Sequence, residues 1–163
     1  MGTAATIAAT SPRALLAIFW AGLACGVLDI SQAFLASWLL RGSRPSRVLQ
    51  SVASGLLGPE SFKGGAATAT LGAVLHFFIA FTVAAVFYLA SRRLPFLIQR
   101  PVLWGMIYGE LVFLFMNYVV IPLSAIHRVP ALQGNLGLIL TGPIGHLFLV
   151  GLPIALIVRR YSI

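Results

Sequence analysis

Four stretches of this chain are each long and apolar enough to cross a lipid bilayer, and that leaves few folds open. Ala14 to Leu40 is interrupted only by Asp29, and Gly64 to Ser91 carries no formal charge. Pro101 to Ile126 carries Glu110 alone, and Val129 to Val158 is uncharged. A helix crosses the hydrocarbon with about 20 apolar residues, whereas barrel strands would alternate polar and apolar over about ten. Only 9% of the residues are charged and 60% are hydrophobic, against about 25% charged in a soluble domain. Too little polar surface exists to face water. The expectation is one transmembrane domain, 1–163, an all-α four-helix bundle with helices at about 14–40, 64–91, 101–126 and 129–158 and the lipid bilayer as its solvent.

A net charge of +8 raises the question of nucleic acid. The basic residues, however, cluster between the apolar runs, where loops meet a membrane surface. No solvated basic face with interleaved polar groups exists, so nucleic acid is excluded as a partner. Four helices put both termini and the middle loop on one side, with Arg13, Arg92, Arg93, Arg100, Arg159 and Arg160. The opposite side has Arg41, Arg44, Arg47, Lys63 and Arg128, mostly spread through a long loop. The tighter flanks predict cytoplasmic termini. Trp20, Trp38, Trp104, Tyr88, Tyr118 and Tyr161 fall near predicted helix ends, as interfacial anchors do. The first run is too long for a signal-peptide core, and the opening MGTAAT fits the myristoylation pattern only loosely. The single cysteine, Cys25, allows no intramolecular disulfide.

The loop after the first run has its own pattern. Val48, Leu49, Val52 and Leu56 recur at helical spacing, with Pro45 suited to a start and Gly58-Pro59 to a stop. An amphipathic helix over about 45–58 is expected in the headgroup layer; a lid over a site between the helices is the alternative.

The runs also repeat one design. GLACGVLD places Gly22 and Gly26 four apart before Asp29, and GMIYGE places Gly105 and Gly109 four apart before Glu110. GAVLHFF puts Gly72 four before His76, and GPIGHLF puts Gly142 four before His146. The second and fourth runs each end in an arginine pair. This reads as two pseudo-symmetric hairpins, although the two carboxylates differ in register against their glycines.

With these motifs the chain resembles the YagU-like inner-membrane proteins, a bacterial family without a known activity. The likeness lies in AGLACGV, LHFFIAFTVAAVFY, GMIYGELVFLFMNYVVIPL and GHLFLVGLPIALIVRR, and does not extend to the long loop. The resemblance implies a bacterial cytoplasmic membrane and a four-helix fold, and assigns no role to Asp29 or Glu110.

Polar groups inside such runs are costly and normally face the bundle. Counting from the charged ends puts His76, Glu110 and His146 near mid-membrane and Asp29 nearer the outer side. Asn117 shares a stripe with Glu110. This buried polar layer has three readings. It can be packing glue, with each imidazole donating to a carboxylate or a carbonyl, for instance near Pro143. It can be a proton or ion path, since imidazole titrates near neutrality. It can hold bis-histidine haem b, or a metal ion on His76 and His146 with the carboxylates, although the Glu-x-x-His spacing of di-iron bundles is missing. We expect no cofactor and no catalytic residues. Ser31 and Ser37 have no histidine at helical spacing, His127 reads as interfacial, and no phosphate-binding glycine loop is present. A small non-enzymatic membrane component is expected, as a homo-oligomer or as an accessory subunit of a larger complex that uses the GxxxG faces.

Overall fold

The computed structural model describes residues 12–127 and 136–162. It is a four-helix bundle with a 13-residue helix laid across one end and a single helical turn, Phe96–Gln99, between the hairpins at the other. In chain order the helices are α1 (Pro12–Arg41), α2 (Pro45–Leu57), α3 (Gly65–Arg93), α4 (Pro101–Leu123) and α5 (Leu140–Ser162). All but α2 are long and apolar enough to cross a membrane. The helical rise into α5 begins at Leu136. The start of the fourth expected run, 129–135, and the opening MGTAAT lie outside the described residues. The third run stops at Leu123, short of Ile126, where Ser124 turns extended (φ −78°, ψ 173°).

Neighbours run antiparallel. α1 and α5 form the central pair, α3 packs on α1, and α4 packs on α5. Within the most apolar windows, 33% of α1 and of α5 is buried, against 17% for α3 and 6% for α4. The flanking helices α3 and α4 have little direct backbone contact, so the bundle is a ring with one thin seam. Its outer surface carries Leu15, Phe19, Leu35, Phe78, Leu89, Leu111 and Phe115, all exposed. Soluble proteins seldom show so continuous an apolar exterior. It suits hydrocarbon.

Both helices of the second hairpin contain a π-helical turn, Met116–Val120 in α4 and His146–Gly151 in α5. Each turn ends two residues before a proline, Pro122 and Pro153. A proline ring clashes with the carbonyl four residues back and offers no N–H. One extra residue in the turn shifts that carbonyl aside, and the bond from Ile121 N–H to Met116 O, or Leu152 N–H to Leu147 O, takes over.

α2 is the helix its spacing predicts, with Pro45 in its first turn and Gly58 (φ 62°) ending it. It packs on the bundle as well as presenting Leu56 outward. Gly72 of α3 has no side chain to keep the Leu49 carbonyl away, and Gln50 Nε2 donates to Gly65 O at 3.0 Å. The Ala125 N–H donates to Gly55 O at 2.9 Å, tying α2 to the end of α4. This loop therefore joins the two hairpins on the side away from the termini.

Along its length the interior divides in two. Toward the termini, Ala17, Ala21, Ala84, Phe87, Ile154, Ala155 and Val158 are fully buried and apolar. Toward α2, small residues leave a space, and the polar side chains enter it.

Candidate functional site: a polar cavity beneath α2

A cavity of about 250 Å³ lies between the four long helices on the α2 side. Asp29 reaches it from α1, His76 from α3, Asn117 from the π turn of α4 and His146 from the π turn of α5. Val52 of α2 forms part of the wall. The rest of the lining is apolar apart from Cys25, whose thiol turns toward the carbonyls of Gly22 (3.5 Å) and Ala80 (3.9 Å).

The hydrogen bonds set the protonation pattern of the imidazoles. His76 Nε2 lies 2.8 Å from Gly26 O, across the α1–α3 interface. His146 Nδ1 lies 2.9 Å from Gly142 O, one turn back on its own helix. A carbonyl oxygen only accepts, so these two nitrogens carry the hydrogens. In the neutral ring the other nitrogen then keeps a bare lone pair, Nδ1 in His76 and Nε2 in His146. The His146 acceptor lies one residue before Pro143, and is not the carbonyl four back that the proline leaves free. Asn117 donates to Phe113 O at 2.9 Å. Asp29 has no hydrogen-bond partner among the described residues. The cavity is thus mostly apolar but is lined by Asp29 and by two histidines, each with one ring nitrogen outside these hydrogen bonds.

Glu110 stands outside this wall. It follows Gly109, whose open face meets the His146 carbonyl, and it interacts electrostatically with His146. Its Oε1 is buried with no hydrogen-bond partner among the described residues. The structure thus gathers Asp29, His76, Asn117 and His146 at one cavity and leaves Glu110 beside them. His127 is exposed beyond α4 with φ 49°, as an interfacial residue can be. Among the described residues, no three His, Cys, Asp or Glu side chains gather closely enough to hold a metal ion.

Two polar contacts went unnoticed in the sequence. Gln32, one turn beyond Asp29 on the same face of α1, donates to Thr141 O of α5 at 3.2 Å and borders Gly145. Its spacing of three from Asp29 is the signal that could have revealed it. Tyr108 donates to Val83 O at 2.7 Å and bridges the α3–α4 seam. It is the one tyrosine far from a helix end, where a hydroxyl needs a partner.

The hairpins share a register. Gly26 lies against Phe77 and Gly22 against Phe81, while Gly109 lies against His146 and Gly105 against Gly151. In each, the second glycine of GxxxG is level with the histidine and the first is level with the residue five beyond it. No family model, curated protein or solved structure matches the chain.

Proposed function

We propose that the chain is a multi-pass, non-enzymatic protein of the bacterial cytoplasmic membrane, related to the YagU-like proteins, whose cavity holds water and an exchangeable proton or small cation. The convergence of Asp29, His76, Asn117 and His146, one from each long helix, on a single cavity carries this reading. An isolated carboxylate in hydrocarbon is expensive, and four separate helices each bearing a polar group there need a common purpose. Asp29, His76 and His146 line a shared space, and each is a group able to take up a proton. The cavity falls below the roughly 300–1,000 Å³ of small-molecule sites, which favours water and an ion over a macrocycle such as haem. With the termini cytoplasmic, α2 and the cavity face outward and the fully buried apolar half faces the cytoplasm. Access is then one-sided at rest, and passage requires that apolar half to part.

Proteoliposomes with a trapped pH dye and an imposed potassium diffusion potential test this. Proton flux should exceed that of protein-free vesicles, disappear in Asp29→Asn and fall in His76→Gln. Equal flux in wild type and Asp29→Asn would remove the proton from the proposal.

A further inference from the structure

The end of the bundle that bears the termini has positive charge and no carboxylate beside it. Arg13, Arg92, Arg93, Arg100, Arg159 and Arg160 are all exposed there, and none of these guanidinium groups has an ion pair or hydrogen bond among the described residues. The chain's three acids, Asp29, Glu60 and Glu110, all lie elsewhere. The α3–α4 connection concentrates this charge. Arg92 and Arg93 close α3, Arg100 precedes α4, and between them Leu94 and Phe96 are exposed. Phe96 rests against Trp104 of α4, ring centroids 4.8 Å apart. Exposed apolar side chains held between arginines suit the layer where headgroups meet hydrocarbon.

Beneath this connection the α3–α4 seam opens into an almost wholly apolar groove of about 550 Å³. Phe78, Thr82 and Val86 line it from α3, and Tyr108, Leu111 and Phe115 from α4. Arg93 continues the α3 stripe, seven residues beyond Val86 and fifteen beyond Phe78. The groove thus lies about 10 to 22 Å below Arg93 along the helix. Half a bilayer, headgroups included, measures about 20 Å. Trp104 stands seven before Leu111, on the matching stripe of α4.

We infer that the seam binds one anionic phospholipid of the leaflet on the termini side, its phosphodiester on Arg93 and Arg100 and one acyl chain down the groove. Arginines and groove meet the two halves of such a molecule in the right order and at the right depth. Guanidinium pairs with phosphate through parallel N–H donors, and basic sites between membrane helices take anionic headgroups. Phosphatidylethanolamine has the same phosphate but adds an ammonium, which finds no carboxylate at this end of the bundle and several like charges. A head of net negative charge is therefore selected. The inference needs only that the helices span a bilayer, and is independent of what the polar cavity holds.

The test uses the full chain in phosphatidylethanolamine–phosphatidylglycerol vesicles, with Trp20→Phe and Trp38→Phe, both at exposed positions, leaving Trp104 as the reporter. A phospholipid brominated on its acyl chain quenches a tryptophan that it touches. Brominated phosphatidylglycerol should be enriched at Trp104 about fivefold over its bulk fraction, the worth of one arginine at an anionic surface. A variant that keeps only Trp20, in the same leaflet on α1, should follow the bulk fraction. Arg93→Gln with Arg100→Gln should abolish the preference, whereas lysine at both positions should keep most of it. Arg159→Gln with Arg160→Gln should leave it in place. Moving the reporter down the groove, by Trp104→Phe with Leu111→Trp, should show the same preference for lipid brominated further along its chain. Equal enrichment at Trp20, or an equal loss from the α5 pair, would reduce the effect to diffuse surface charge and overturn the inference. No enrichment at position 111 would do so too, by placing the chain outside the groove. Relief of quenching by glycerol 3-phosphate, which has the phosphate and no chain, would also overturn it. So would a Trp104 that neither brominated lipid reaches because a second copy covers the seam.

Discussion

The two hairpins use one motif in opposite ways. In α1–α3, Gly22 and Gly26 make room for the rings of Phe81 and Phe77, and both helices run as unbroken α-helix. In α4–α5, Gly109 makes room for the His146 carbonyl and Gly105 for the Gly151 carbonyl and the Ala155 methyl, and both helices widen into π turns. The register is shared, and the residue five beyond the histidine makes the difference: Phe81 in the first hairpin, Gly151 in the second. A ring can rotate away when a neighbour grows, but a main chain cannot. The first hairpin is therefore a packed surface that tolerates adjustment, and the second is a close backbone contact that does not.

The largest expected effect tests that contrast directly. Gly151→Val would drive a side chain into the Gly105 carbonyl and the Gly109 backbone, at a cost of about 3 kcal/mol. Gly26→Ala, which meets the Phe77 ring at 2.8 Å, should cost about 1 kcal/mol because the ring can move. Unfolding in a graded series of denaturing detergent reads both. Similar losses would erase the distinction between the hairpins.

The histidines sharpen it. His76 bonds across helices to Gly26, whereas His146 bonds within its own helix. His76→Leu should weaken the first hairpin by about 1 kcal/mol, within the range of interhelical bonds in membranes. His146→Leu should lower the same unfolding midpoint less, since no hydrogen bond between helices is lost, only the ring contact with Phe113 and the interaction with Glu110. An equal drop for both would show that His146 supports the fold through a contact other than Gly142.

The smallest effect lies where the hairpins meet. Gln32→Leu removes the bond to Thr141 O and should cost about 0.6 kcal/mol. It should loosen the contact between α1 and the start of α5 without changing either hairpin, as amide exchange resolved by residue would report. Protection lost within α3 or α4 instead would mean the hairpins are not separable units.

Much of this was legible because lipid constrains a sequence harshly. Apolar runs bounded by arginines marked the four long helices, and the cost of placing His76, His146 and Asp29 in lipid said that they must turn inward. Glycines four apart marked the packed faces correctly, but spacing alone does not say whether a ring or a carbonyl lies opposite. That depends on the partner helix, where Phe81 and Gly151 occupy equivalent places. The π turns left only a trace, Pro122 and Pro153, and a proline can equally kink a helix. The placing of Val52 in the cavity wall was beyond reach, because it arises from Gly72 and Leu49 meeting across the chain. The seam was invisible for a related reason. Apolar residues facing lipid and apolar residues lining a groove read alike.

If the proposed cavity holds water in a bilayer, the fully buried half around Phe87 and Ile154 gains an electrical meaning. In a bilayer a voltage falls mainly across whatever is dry, so water in the cavity beneath α2 would press most of the membrane potential into that apolar layer. A charge resting beside Asp29 would then sense only a small part of the field. One driven past Phe87 would cross nearly all of it, at about 2.3 kcal/mol per 100 mV. Escape beyond the cavity would follow voltage.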